Sequence, residues 1–219
     1  MHTLFQLLLL TLLLLDFALL IAGKMPLRIR LVALQGAALS GLLLCMPRHP
    51  DAGVAHLVWL ALAVFLIKAV GFPLLLGRTI RKVQISEHTH PYIGHTLSVV
   101  IGTVALLFSL WLESRLPLAQ GAREVYPPLL FPVGLTTLFA GLTLVAGRVR
   151  AITQVMGYLV AENGIFLLSM PLLMGGSTWF ELTLLLDVFV AVFVMGIAIN
   201  HINAAFDSQN VERFSSLHD

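Results

Sequence analysis

Ionisable side chains within long apolar stretches are the features of this sequence that could do chemistry. Asp16, Lys68, Glu162 and Asp187 lie well inside such stretches, and His201 lies near the end of the stretch that also holds Asp187. A charge at the centre of a bilayer costs about 2.5–3.5 kcal/mol on insertion scales, so these residues usually face a protein interior or a water-filled path. A functional role is therefore the default hypothesis, although their positions give them unequal weight.

Glu162 is the strongest candidate because it lies near the middle of a predicted helix, where a glutamate is too short to reach the membrane interface. Gln154, Tyr158 and Glu162 are spaced by four residues, which predicts a shared helical face and a hydrated or hydrogen-bonded polar stripe. Asn163-Gly164 offers another polar group and room for a close neighbour. The alternative is a neutral, hydrogen-bonded Glu162 that only locks helix packing.

Asp187 lies near the middle of the next predicted helix. The short turn at Gly175-Gly176 predicts that the two helices form an antiparallel pair, with Glu162 and Asp187 at comparable depth. Burial in a low dielectric favours the neutral form of a carboxyl group, so each acid could exchange a proton near neutral pH. This pattern predicts a proton relay.

The other ionisable residues allow more than one interpretation. The long side chain of Lys68 could reach part of the way to the interface, or it could be the positive member of a relay or the partner of an acid. For Asp16, the nearby Lys24 and Arg28 favour a structural ion pair. His201 is interpreted as marking the inner interface.

The composition requires a membrane around these residues. Of 219 residues, 58% are hydrophobic and only 11% are charged, and the mean hydropathy is +0.95. In soluble domains, about 45–50% of residues are apolar and about 25% are charged. The sequence has no basic patch interleaved with aromatic residues of the kind that indicates nucleic-acid binding. The single cysteine, Cys45, excludes an internal disulfide and a cysteine metal cluster, and a packing role is expected for it.

Seven segments are long and apolar enough to cross a bilayer. They are 3–22, 28–46, 54–77, 92–112, 128–147, 151–174 and 179–204. They lack the alternation of apolar and polar residues that barrel strands show, so we predict an all-α fold and a polytopic membrane protein. The first segment lacks the positively charged start of a signal peptide and is long enough to span, so we interpret it as a retained helix.

The basic residues predict an orientation. Nine of them lie in the odd-numbered connections and the tail, at Lys24, Arg28, Arg30, Arg78, Arg81, Lys82, Arg148, Arg150 and Arg213; three, at Arg48, Arg115 and Arg123, lie in the even-numbered ones. Because basic loops stay in the cytoplasm, the N-terminus is expected outside and the C-terminus inside, in the inner (cytoplasmic) membrane. The predicted organisation is a four-helix segment (1–112), a loop (113–127), a three-helix segment (128–206) and a cytoplasmic tail (207–219).

Two stretches of the chain carry a family resemblance. One is the run GYLVAENG from Gly157 to Gly164, followed by Asp187, and the other is Ile67-Lys68 followed by Pro73-Leu74. Both resemble hydrogenase-4 component E. The resemblance extends over most of the chain and implies a membrane subunit of an energy-converting NiFe hydrogenase or formate hydrogenlyase-type assembly. The last three predicted helices resemble subunit K of respiratory complex I, in which two helices each carry a membrane glutamate. Glu162 matches the first, and Asp187 falls at the second with one methylene fewer.

The resemblance also implies partners and roles. It implies antiporter-like and subunit-H-like membrane partners, together with soluble hydrogenase subunits that hold the NiFe and iron–sulfur centres, so that this chain carries no cofactor and is not catalytic alone. Glu162 and Asp187 would be protonatable stations, with Lys68 as a third and Tyr158 hydrogen-bonding the relay. The alternatives are a structural spacer of the same assembly and an independent small transporter, although the two three-helix halves would not be inverted repeats.

Overall fold

The computed structural model describes residues 2–45, 54–82, 93–115, 129–148 and 151–173, and all regular structure within these ranges is helical. The helices are α1 (His2–Ile21), α2 (Met25–Leu44), α3 (Val54–Val64), a π-helical segment (Phe65–Gly71), α4 (Phe72–Lys82), α5 (His95–Arg115), α6 (Leu130–Gly147) and α7 (Ala151–Leu173). The elements α3, the π segment and α4 follow one another without a break and form one long helix. The all-α prediction is confirmed for the described residues.

Within the described ranges, five helical segments are long and apolar enough to cross a membrane. They are Thr3–Ile21, Met25–Leu44, Val58–Arg78, His95–Arg115 and Leu130–Gly147. Each matches a predicted span to within a few residues, so the chain has the helices of a multi-pass membrane protein. The sixth predicted span coincides with α7, which is not among these five. The seventh, 179–204, lies outside the described residues.

The outer surface of the bundle is apolar. Trp59 and Leu14 are about seven-tenths exposed, and most of the outward face of α5 consists of large apolar side chains. An exposed apolar surface of this extent would aggregate in water, whereas lipid covers it at no cost. The arrangement therefore fits a bilayer.

Two buried arginines close the end of the bundle at which α1 and α6 finish and α2 and α7 begin. Nε of Arg28 donates to the carbonyl oxygen of Ala22 at 2.7 Å. Nη2 of Arg148 donates to the carbonyl oxygen of Leu20 at 3.3 Å, and burial lowers the pKa of this guanidinium from its ordinary value. Carbonyl groups at a helix C-terminus have no intrahelical partner, so these two cations stabilise the end of α1.

The helices α6 and α7 pack with their backbones in contact. A methyl group added to Gly157 would lie 2.8 Å from the carbonyl oxygen of Gly141, and one added to Gly164 would lie 2.8 Å from that of Gly134. Small residues at helix crossings permit this approach in membranes. The predicted close neighbour of Gly164 is confirmed, and it is α6.

The apolar core formed by the described residues consists of two separate clusters. One, the basic-end cluster, lies towards the two arginines and includes Leu19, Val32, Phe72, Leu144 and Leu159. The other, the far-end cluster, includes Leu9, Leu42, Val64, Val133 and Leu167. Along α1, α2, the long third helix, α6 and α7, a stretch of a few residues separates one cluster from the other. These stretches hold the candidate site.

Candidate functional site

A layer of polar side chains divides the two apolar clusters, at the middle of the bundle. We call it the polar layer, and it consists of Asp16, Gln35, Lys68, Thr137, Glu162 and Asn163. None of the six is more than 4% exposed. Each of the five helices around the core contributes to it between its two apolar stretches. Polar groups in such surroundings are costly unless they bond to one another, so their pairing is the central fact of the site.

Lys68 and Glu162 form a buried ion pair in one half of the polar layer. Nζ of Lys68 donates to Oε1 of Glu162 at 2.6 Å and to Oδ1 of Asn163 at 3.1 Å. The ammonium group also lies 5.0 Å from the ring centroid of Phe166, close enough for a cation–π interaction. Of the three roles left open for Lys68, partner of an acid is confirmed, and the acid belongs to this chain.

The π-helical segment positions Lys68 for this contact. Pro73 follows it, and a proline has no N–H to continue an α-helical ladder and crowds the preceding turn. The chain widens instead, and the N–H of Phe72 bonds to the carbonyl oxygen of Ile67, five residues earlier. Single-turn π segments inside helices are frequent at functional sites.

Gly36 lets α2 pack directly against the π-helical segment at the level of Lys68. A methyl group at this position would lie 2.7 Å from the carbonyl carbon of Lys68 and 2.8 Å from its Cβ, so the backbones are in direct contact. The residue before it, Gln35, belongs to the other half of the polar layer. Gly36 therefore joins the two halves at one depth.

Asp16 is held in the second half by neutral partners. Nε2 of Gln35 donates to Oδ1 of Asp16 at 2.7 Å, and Oγ1 of Thr137 lies 2.7 Å from Oδ2. The predicted ion pair of Asp16 with Lys24 or Arg28 is wrong. Arg28 is directed to the end of α1 and to Oγ1 of Thr153, at 3.4 Å, because the carbonyl groups there need a donor.

The prediction that Gln154, Tyr158 and Glu162 share one face of α7 is also wrong. Gln154 is exposed and Tyr158 is 47% exposed, whereas Glu162 is buried. Two steps of four residues advance about 80° beyond two full turns, which is enough to carry Glu162 from the surface into the core. Tyr158 therefore lies on the outer surface while Glu162 points into the polar layer.

Two predicted residues, Asp187 and His201, lie outside the described residues. The polar layer in turn contains two side chains that the sequence analysis did not single out, Gln35 and Thr137. Gln35 carried a signal, since it is an uncharged but strongly polar residue in the middle of an apolar span. Thr137 carried none, because threonine is common in membrane helices, where it bonds its own backbone.

Comparison with known proteins identifies one relative of similar length. The chain is 29% identical over 194 residues to the uncharacterized protein Rv0085 of Mycobacterium tuberculosis, a match that covers 87% of this chain and 85% of that protein. No family model matches the chain. No solved structure matches it.

Proposed function

We propose that this protein is a membrane subunit of a complex-I-like, energy-converting hydrogenase or formate hydrogenlyase-type assembly, and that its buried carboxyl groups contribute to proton translocation. The observation that supports the proposal best is the Lys68–Glu162 pair in the middle of the bundle. An ion pair that only stabilised the fold would gain little over apolar residues of the same size, since desolvation offsets most of the attraction. Its placement at mid-membrane is more easily understood if its charges are used.

The second oxygen of Glu162 gives this pair a way to take up a proton. Oε2 is buried and has no hydrogen-bond partner among the described residues, while Oε1 is bound to Lys68. A proton arriving at Oε2 would neutralise the carboxylate and weaken its hold on the ammonium group. The ammonium group of Lys68 would then respond more strongly to an acid elsewhere. We include Asp187 and Tyr158 in the proposed relay on the sequence argument.

The assembly supplies the rest of the chemistry in this proposal. Soluble hydrogenase subunits would carry the NiFe and iron–sulfur centres and the electron transfer, and antiporter-like and subunit-H-like membrane subunits would flank this chain. Its outward apolar faces, such as that of α5, are available for lipid or for such neighbours. The chain would act as a non-catalytic subunit.

The decisive experiment replaces Glu162 by glutamine in the intact assembly. The amide keeps the size and an acceptor for Lys68 but cannot cycle a proton. Because Lys68 loses the charge that balances it, we expect a lower yield of assembled complex. In the complexes that form, electron transfer should be normal and proton pumping per complex should fall at least about tenfold. The matched control is Glu113→Gln, the same change at a partly exposed position near the end of α5, which should pump normally. Full pumping in the Glu162→Gln assembly would refute the relay and leave the structural-spacer role.

The independent-transporter alternative is tested by purification. If the chain is a subunit, mild detergent extraction from its native membrane should bring down hydrogenase-type partners in fixed ratio. A chain that purifies alone and transports a solute in vesicles would overturn the assembly proposal.

We also propose seven spans in the inner membrane, with the N-terminus outside. The two arginines at one end of the bundle support this orientation, because basic ends face the cytoplasm. Cysteine labelling tests it in a Cys45→Ser background. Gly121→Cys should react with a membrane-impermeant maleimide in intact cells, and Ser86→Cys only after permeabilisation. The reverse pattern would contradict the orientation.

A further inference from the structure

We infer that Asp16, Thr137 and Gln35 form a second proton-binding site, in which Asp16 is a neutral carboxylic acid with its proton on Oδ2, donated to Thr137. The inference does not depend on the proposed function. It rests on the number of hydrogen atoms available for the contacts around Thr137.

Thr137 has two close oxygen neighbours but only one hydroxyl proton. Its Oγ1 lies 2.7 Å from Oδ2 of Asp16 and 2.8 Å from the carbonyl oxygen of Val133. A hydroxyl group donates one hydrogen bond and accepts up to two, and a main-chain carbonyl can only accept. If Thr137 bonds Val133, the proton between Thr137 and Asp16 must come from Asp16.

Other threonines in the described helices indicate where the Thr137 proton goes. Four further threonines in the described helices each donate to the carbonyl oxygen four residues earlier, at 2.7–2.9 Å: Thr11, Thr103, Thr136 and Thr143. Thr137 has the same geometry towards Val133. If Oδ2 of Asp16 is protonated, it donates to Thr137 while Oδ1 accepts from Gln35. Each of these contacts then has one hydrogen atom. An ionised Asp16 would leave one of the two short contacts of Thr137 without a hydrogen.

The charges around Asp16 agree with a neutral acid. Among the described residues, the helices packed against α1 are α2, α5 and α6. The ionisable residues within these three helices lie near the helix ends, at Arg28, Arg30, His95, Glu113 and Arg115. None of them donates to Asp16, whose bonds within the described part of the chain are to Gln35 and Thr137. An ionised carboxylate 1% exposed and held only by neutral groups would carry a large desolvation cost, which a bound proton removes.

Infrared spectroscopy of the full-length protein in lipid at neutral pH tests the inference. The difference spectrum between the wild type and Asp16→Asn should show the loss of one protonated-carboxyl C=O band. The amide can replace the acid in both hydrogen bonds, so this variant should fold. Loss of carboxylate bands in its place would show that Asp16 is ionised and would overturn the inference.

A second pair of variants keeps the test decisive if Asp16→Asn does not fold. Thr137→Val removes the acceptor of the acid proton, so the C=O band of ¹³C-labelled Asp16 should remain and move to higher frequency. Thr136→Val is the matched control, because Thr136 is the adjacent, equally buried threonine and bonds Pro132 and Ser109 rather than Asp16. A carboxylate signal, or an equal shift in both variants, would refute the donation to Thr137.

Discussion

The two halves of the polar layer bury acids at one depth in different ways. Glu162 lies 2.6 Å from the ammonium group of Lys68, which also lies close to a ring face and an amide oxygen. Within the described part of the chain, Asp16 is hydrogen-bonded only to an amide and a hydroxyl group. One half balances a charge with a charge, and the other binds its acid through neutral groups.

This difference predicts which substitutions each half of the polar layer tolerates. An ion pair in a low-dielectric interior responds strongly to loss of either charge, because the charge left behind is uncompensated. A neutral hydrogen-bonded acid responds only to loss of bonding partners, at about 1–3 kcal/mol for each group left unsatisfied. Substitutions that change charge should therefore separate the two halves.

The largest effect is expected for Lys68→Met. Methionine has a similar length but no charge, so Glu162 loses the cation that balances it. We expect the free energy of unfolding, measured by denaturant titration in micelles, to fall by about 3–5 kcal/mol. The double variant Lys68→Met/Glu162→Gln should recover most of this loss, since the remaining amide is neutral. Equal losses in the single and double variants would contradict the ion-pair description.

Gly36→Ala tests the contact that joins the halves. The added methyl group would lie within 3 Å of the Lys68 backbone, which cannot move aside as a flexible side chain could. Overpacking of this kind costs about 1–3 kcal/mol. Gly77→Ala on α4 is the matched control, because no atom of the described residues lies within 4 Å of its added methyl group. It should be neutral or stabilise by up to about 1 kcal/mol. Similar losses in both would contradict the close approach.

Gln35→Leu probes the neutral half. The change removes the donor to Oδ1 of Asp16, and we expect a loss of about 1–2 kcal/mol in the same titration, since one buried acceptor is left without its bond. It should be smaller than the Lys68→Met loss. Gln154→Leu, the same change at an exposed position on α7, should cost about 0.5 kcal/mol or less. A Gln35 effect that matched the Lys68 effect would remove the distinction between the halves.

The smallest effect is expected for Tyr158→Phe, which removes one hydroxyl group from the outer surface of α7. Stability should change by no more than about 0.5 kcal/mol, because substitutions at exposed positions rarely do more. Pumping by the assembly carrying this variant measures its predicted relay role separately. A loss of stability above about 2 kcal/mol would show that Tyr158 belongs with the buried groups.

The sequence alone determined much of this protein, for physical reasons. Apolar runs of about 20 residues need a bilayer and satisfy their backbones as helices, so the five spans could be located to within a few residues. Glu162 could be singled out because a short charged side chain at mid-span has no route to water. Gly164, beside Asn163, indicated a close helix neighbour because two helix backbones touch only where a side chain is missing.

The tertiary structure alone decided which groups meet. A helical spacing of four placed Tyr158 with Glu162, yet the helix turns about 40° beyond a full turn over these four residues, and one side chain lies on the surface while the other lies in the core. Lys24 and Arg28 are near Asp16 in sequence, but its partners came from α2 and α6, 19 and 121 residues away. Lys68 and Glu162 are 94 residues apart. Local pattern fixes the depth of a residue in the membrane, whereas its partner depends on which helices pack together, and that is settled by the whole bundle.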